Sequence, residues 1–190
     1  MTRNQLRERK GSPRLASFEY FGSYAYFVTC ATEHRSQHFK DKAVVDSLLP
    51  ILRETSRRFE FSIYAYCFMP DHLHLLLVGK DDSPLHRFMK LFKQQSSFAF
   101  KKAYGESLWQ KSYYDHILRK EEALNDVALY ILNNPVRKGL VASYQDYPFL
   151  GSFVFEAREP NQAQYRQCDN VGIELKLDPS GVSMGENWGG

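Results

Sequence analysis

The chain has 190 residues, 43% of them hydrophobic and 15% aromatic, and a net charge of +3. That length suits one globular domain with an appendage, and the apolar content supplies a real core. No apolar run approaches the ~20 residues of a membrane span, and the polar, basic residues 1–10 predict no secretory signal. Cys30, Cys67 and Cys168 stand apart without CxxC spacing, so reduced thiols in a cytoplasmic protein are expected, with no membrane partner. The charge is uneven. Residues 156–190 hold six acids against three bases, which leaves +6 on residues 1–155. A domain of that charge attracts a polyanion moderately and in a salt-dependent way, though an ordinary basic solvated surface has the same composition.

Residues 1–18 carry Arg3, Arg7, Arg9, Lys10 and Arg14 around Gly11-Ser12-Pro13. They read as a basic arm, either one that lies along DNA or a leader with no fixed partner. The aromatic and β-branched run 24–31 predicts a strand, followed by a polar loop with His34, Arg35 and His38. Apolar positions 44, 45, 48, 49, 52 and 59 have helical spacing. Pro50 is expected to kink or interrupt that helix, and Arg53, Arg57 and Arg58 suit its C-terminal end. Residues 61–69 form a second strand, Pro70-Asp71 a turn, and 72–78 a third strand.

Ser83 is then expected to cap a helix opened by Pro84. Leu85, Phe88, Met89, Phe92, Ala99, Phe100 and Ala103 make its apolar stripe. Arg87, Lys90, Lys93, Lys101 and Lys102 lie along it as a solvated face or a phosphate track. Gly105 ends this helix. Residues 108–119 read as a short irregular strand, and 121–133 as a helix that stops at Asn134-Pro135. The order strand–helix–strand–strand–helix–strand is the split βαβ, ferredoxin-like pattern of an α+β protein. Its antiparallel sheet would carry helices on one face and leave the other for a ligand, with the 121–133 helix as an addition. Residues 138–141 and 147–149 read as an arm packed back on a 19–155 domain. Residues 156–190 lose all periodicity and read as an extended or poorly ordered tail.

Two stretches carry chemistry. In Met69-Pro70-Asp71-His72-Leu73-His74-Leu75-Leu76-Leu77-Val78, alternation sends His72 and His74 out of one strand face and Leu73, Leu75 and Leu77 out of the other. Two such imidazoles can hold one metal ion, or can simply be surface residues. Asp71, as their neighbour, is expected to point to the opposite face. Cys67 would join a zinc set only if the neighbouring strand placed it on the histidine face. In the second stretch Tyr130 and Asn134, four apart, share a helix face. Tyrosine is a poor nucleophile at its usual pKa of ~10, but serves when a metal stabilises the phosphate it attacks. Asn134 offers a carbonyl oxygen as a third ligand. The plainer reading makes Tyr130 a half-buried aromatic and Asn134 a helix cap.

Pro70-Asp71-His72-Leu73-His74-Leu75-Leu76-Leu77 resembles the HUH signature of single-tyrosine transposases. Trp109-Gln110-Lys111-Ser112-Tyr113-Tyr114-Asp115-His116, followed by Tyr130-x-x-Asn133-Asn134-Pro135-Val136-Arg137-Lys138-Gly139-Leu140-Val141, is similar to the REP-associated tyrosine transposase branch. The resemblance covers about residues 20–155. It implies a divalent metal, Mg²⁺ or Mn²⁺, on His72, His74 and Asn134, and Tyr130 as nucleophile. It also implies cleavage of single-stranded DNA beside a hairpin, with the 5′ end held as a phosphotyrosine, by a monomer or a homodimer. Tyr113, Tyr114 and His116 would be structural or touch DNA, and the basic residues Arg3, Arg7, Arg9, Lys10, Arg14, Arg87, Lys90 and Lys93 of the arm and helix are the expected DNA-binding residues. Leu132 departs from the aromatic or histidine often found two residues after the nucleophile, a change expected to alter DNA contacts rather than chemistry. Two other readings compete with this enzyme. One is a DNA-binding module that keeps the fold without cleaving. The other is a metal-dependent RNA-processing enzyme on the same scaffold.

Overall fold

A computed structural model describes residues 24–80, 83–118 and 124–155. The basic arm, the start of the 121–133 helix and the tail beyond 155 lie outside the described residues. The elements run β1 (Ala25–Ala31), α1 (Lys42–Arg58), β2 (Phe61–Met69), β3 (His72–Gly79), α2 (Leu85–Tyr104), β4 (Tyr114–Ile117), α3 (Leu124–Leu132), α4 (Asn134–Arg137) and β5 (Leu150–Gly151). The strands form one antiparallel sheet in the order β4-β1-β3-β2-β5. This is the split βαβ arrangement with one added edge strand, so the α+β, ferredoxin-like expectation holds. Among the described residues no helix is long and apolar enough to cross a membrane.

The two sheet faces bury different helices. Leu73, Leu75 and Leu77 of β3 meet Val28 of β1 and the apolar stripes of α1 and α2, including Leu48, Leu52, Phe88 and Phe92. On the other face Leu76 and Val78 meet Phe27 of β1 and Ala128, Ile131 and Leu132 of α3. That second face is therefore not left open, because α3 covers part of it. A register shift between Ile63 and Ala65 inserts Tyr64 into β2. Such a bulge reverses the alternation: Phe61 and Ile63 point towards α1 and α2, whereas Ala65, Cys67 and Met69 point towards α3.

Three local expectations are corrected. Pro50 does not interrupt α1, which runs through it. It lies on the exposed side, where the Asp46 carbonyl that loses its partner can meet water. Ser83 does not cap α2. Its Oγ accepts from Lys80 N at 2.8 Å and donates to Glu60 O at 3.2 Å, leaving Pro84 as an N-cap without a side-chain bond. The chain also does not leave helical geometry at Asn134-Pro135. Asn133 keeps right-handed helical angles at the junction, and α4 follows with Pro135 in its first turn, where a missing N–H costs little. Gly139, at φ +67°, ends that turn. Downstream, Tyr147 donates its hydroxyl to Phe68 O at 2.8 Å and Leu150 pairs with Cys67, so the expected return of the chain onto the domain is present.

Candidate active site

His72 and His74 stand on the sheet face that α3 covers, both more than nine-tenths buried. Their Nε2 atoms are 3.0 Å apart. The outer nitrogens are each held. His72 Nδ1 donates to Asp71 Oδ1 at 2.6 Å, and His74 Nδ1 lies 2.8 Å from Thr29 Oγ1. Thr29 is the direct cross-strand partner of His74, and for that reason is on the same face. Phe27, two residues earlier on β1, stacks its ring on His74 with centroids 5.4 Å apart.

Burial lowers the proton affinity of both imidazoles. For His74 the pKa falls to about 3, through desolvation first and then the charges of His72, Arg35 and Lys138. His72 is lowered mainly by desolvation, against the opposing pull of Asp71. Both rings are therefore neutral at pH 7, the form that binds a metal. Two nitrogens at ~2.1 Å from one cation and at right angles to each other are about 3 Å apart. The pair has that separation, so the two imidazoles are placed where they could share one divalent ion. Among the described residues no group of three or more His, Cys, Asp or Glu side chains is placed to hold a metal. Cys67 does lie opposite His74 on β2 and on its face. Burial, however, keeps its thiol protonated, raised above the ordinary thiol range.

Tyr130 reaches this site through one ring. Phe27 meets Tyr130 edge-on at 6.3 Å while stacking on His74, so the phenol and the imidazole flank the same phenylalanine. Arg137 places its guanidinium 4.5 Å from the Tyr130 ring centroid, a cation–π contact of about 0.5–1 kcal/mol. Asn134 is buried and donates its amide Nδ2 to Tyr130 O at 3.3 Å, leaving Oδ1 as the atom a cation could use. Lys138, just beyond α4, is near enough for its charge to depress both histidines. Tyr114 of β4 is the cross-strand partner of Thr29 and touches Phe27 edge-on at 6.5 Å. It is therefore a second phenol on the histidine face.

Several residues sit differently from the expectations above. Asp71 does not point away from the histidines, because it precedes β3 and belongs to the turn, where strand alternation has no hold. Lys93, expected along the basic track of α2, is engaged within the chain. Nζ donates to the carbonyls of Gln110, Lys111 and Ser112 at 2.7, 3.0 and 3.4 Å. Arg87 and Lys90 are exposed, but on α2, the helix that covers the sheet face opposite the histidines. Leu132 is fully buried against that sheet, so its side chain is part of the core packing here. Arg3, Arg7, Arg9, Lys10 and Arg14 lie outside the described residues. Sequence reading missed Thr29, Phe27, Arg35, Arg137 and Lys138 as site residues. Antiparallel register would have found the first two, since the parity of β1 puts positions 27 and 29 on one face.

The sequence profile of the IS200-like transposases matches residues 20–134. A Haemophilus influenzae protein provisionally named a REP-associated tyrosine transposase is 28% identical over 136 residues, 65% of this chain and 77% of that protein. The REP-associated tyrosine transposase of Escherichia coli K12 is 32% identical over 92 residues, 47% of this chain and 53% of its own length. In three dimensions the fold is that of a REP-associated tyrosine transposase solved bound to a REP hairpin, with a TM-score of 0.62 and 20% identity. That match covers 93% of this chain and 95% of the other.

Proposed function

We propose that this chain, which belongs to the IS200-like transposase family, is a metal-dependent enzyme that cuts single-stranded DNA beside a hairpin and rejoins it through a covalent tyrosine intermediate. The observation that carries this reading is the approach of the His72 and His74 Nε2 atoms to 3.0 Å, with Tyr130 one ring away across Phe27. Mg²⁺ or Mn²⁺ held by the two imidazoles and Asn134 would act as a Lewis acid on the scissile phosphate. Tyr130 Oη attacks phosphorus and gives up its proton. The P–O bond to the 3′ oxygen breaks, and that oxygen takes a proton to leave as a 3′-OH, while the 5′ phosphate stays on the tyrosine. One ester replaces another, so no nucleotide cofactor is required. Arg137 orients the phenol, and Lys138 brings positive charge to a site that receives a phosphate. A module that only bound DNA would have no use for two neutral, converging histidines and a phenol beside them. The hairpin in the related solved complex supports the same kind of substrate here.

The test is cleavage of an end-labelled oligonucleotide carrying a hairpin and a single-stranded flank. His72→Ala and His74→Ala lose cleavage in Mn²⁺ or Mg²⁺ by a hundredfold or more on the scale of other catalytic losses, while hairpin binding is kept because phosphate contacts supply most of the affinity. Cleavage at the wild-type rate by either variant would place the metal elsewhere.

A further inference from the structure

The two imidazoles point inward because something holds each of them from behind. Asp71 Oδ1 accepts the His72 Nδ1–H at 2.6 Å, and the Thr29 hydroxyl sits 2.8 Å from His74 Nδ1. We propose that Asp71 and Thr29 are positioning residues that set the tautomers of His72 and His74 for a divalent cation. The proposal rests on the metal site of the preceding section and assigns it a supporting shell.

The geometry distinguishes the two partners. A carboxylate can only accept, so Asp71 keeps the proton on His72 Nδ1 and leaves Nε2 with a free lone pair. A hydroxyl can donate or accept, so Thr29 serves either tautomer of His74. Without metal, the 3.0 Å contact is a hydrogen bond in which His74 Nε2–H donates to His72 Nε2, and Thr29 donates to His74 Nδ1. With its proton on Nδ1 instead, His74 would donate to the same hydroxyl, and both Nε2 lone pairs would be free to hold a cation. One fixed acceptor and one reversible partner thus let the pair exist both with and without metal.

Asp71 is itself anchored. Its second oxygen lies 3.4 Å from Arg35 Nη1, and its backbone carbonyl receives Thr32 N and Thr32 Oγ1, each at 2.9 Å. Thr32 is fully buried, and its hydroxyl also reaches Ser36 O at 2.8 Å. The turn that brings Arg35 to Asp71 holds His34 and Arg35 at φ 54° and 57°. Two successive left-handed residues that are not glycine are costly, and such strain is retained where the surroundings impose a particular placement.

The experiment measures Mn²⁺ affinity of the full chain by electron paramagnetic resonance, with imidazole ¹⁵N shifts of the metal-free protein as a second readout. Thr29→Val and Asp71→Ala weaken Mn²⁺ binding by about 10–100-fold. Thr29→Ser, which keeps the hydroxyl, and Asp71→Asn, which keeps an accepting oxygen, recover most of it. In the wild type, His72 shows the Nδ1–H tautomer, and Asp71→Ala loses that preference. Unchanged affinity in both Thr29→Val and Asp71→Ala overturns the proposal, as does an equal loss in the conservative and disruptive variants. A wild type that binds no Mn²⁺ but shows these tautomers removes the metal reading itself. Binding with the opposite His72 tautomer removes only the positioning role.

Discussion

At His74 the fold gives up a charge that water would have stabilised. Burial and three nearby cationic or ionisable neighbours bring its pKa from 6.5 to about 3, and His72 moves in the same direction. The consequence for stability has a definite sign. In the unfolded chain these rings take up protons below pH ~6.5, whereas folded His74 resists protonation until about pH 3. Between those limits the unfolded state binds the extra proton, so stability is full above pH ~6.5 and falls as the pH is lowered. The slope from one such group reaches at most about 1.4 kcal/mol per pH unit. Metal-free wild type therefore loses denaturant resistance more steeply from pH 6.5 to 4 than His74→Gln, measured by chemical denaturation. Identical slopes would mean that His74 is not buried neutral. Asp71 shows where reading residues from sequence stops. Strand parity placed His72 and His74 on one face, but Asp71 is in a turn, and only the fold reveals that it faces His72 Nδ1.

Among the elements, those with strong periodicity were legible in the sequence. The alternation of β3 and the apolar stripes of α1 and α2 follow directly from residue spacing, and their large side chains are where the spacing puts them, although Ala103 at the end of α2 is exposed. Features that depend on a distant partner were not legible. The bulge at Tyr64 turns Cys67 and Met69 to the histidine face, although the run Phe61-Ser62-Ile63-Tyr64-Ala65-Tyr66 does show a break in its alternation. α4 was hidden by Pro135, whose missing N–H costs nothing in a first helical turn. Lys93 read as part of a basic track, yet it fastens α2 to the segment before β4 by three carbonyls. Trp109, which donates to Ser96 Oγ at 2.8 Å, reinforces the same junction. Lys93→Ala consequently costs about 1–3 kcal/mol of stability, since it strips a charged donor from these carbonyls, and leaves the salt slope of DNA binding unchanged. Lys90→Ala, on the exposed side of α2, leaves stability within about 0.5 kcal/mol. Thermal melts and salt titrations of the two variants check both statements. A Lys93→Ala protein that melts with the wild type and binds DNA with a shallower salt slope would return Lys93 to the DNA interface.

For the whole molecule, the split βαβ order decides where chemistry can occur. It makes β1 and β3 central neighbours, commits one sheet face to α1 and α2, and so leaves the histidines to the other face. α3 then closes over part of that face with Tyr130 at its edge, half-buried, and α4 with the residue after it brings Arg137 and Lys138 up to it. None of these elements forms the site alone: Thr29, His74, Tyr130 and Lys138 come from four separate parts of the chain. This is also why motif spacing could nominate His72, His74, Tyr130 and Asn134 but not the residues that support them.

The central claim is that Tyr130 Oη is the attacking atom, and the fold supplies its own control. Tyr114 and Tyr130 both meet Phe27, at 6.5 and 6.3 Å, on the same sheet face. Incubating each Tyr→Phe variant with labelled hairpin oligonucleotide and Mn²⁺, then resolving the mixture on a denaturing gel, compares the two phenols directly. Phenylalanine keeps the ring contacts and removes only the hydroxyl. The account predicts that Tyr130→Phe folds and binds the hairpin like the wild type but forms no covalent adduct, while Tyr114→Phe still forms one. An adduct in Tyr130→Phe that maps to Tyr114 would contradict it, and cleavage by Tyr130→Phe with no adduct would make water the nucleophile.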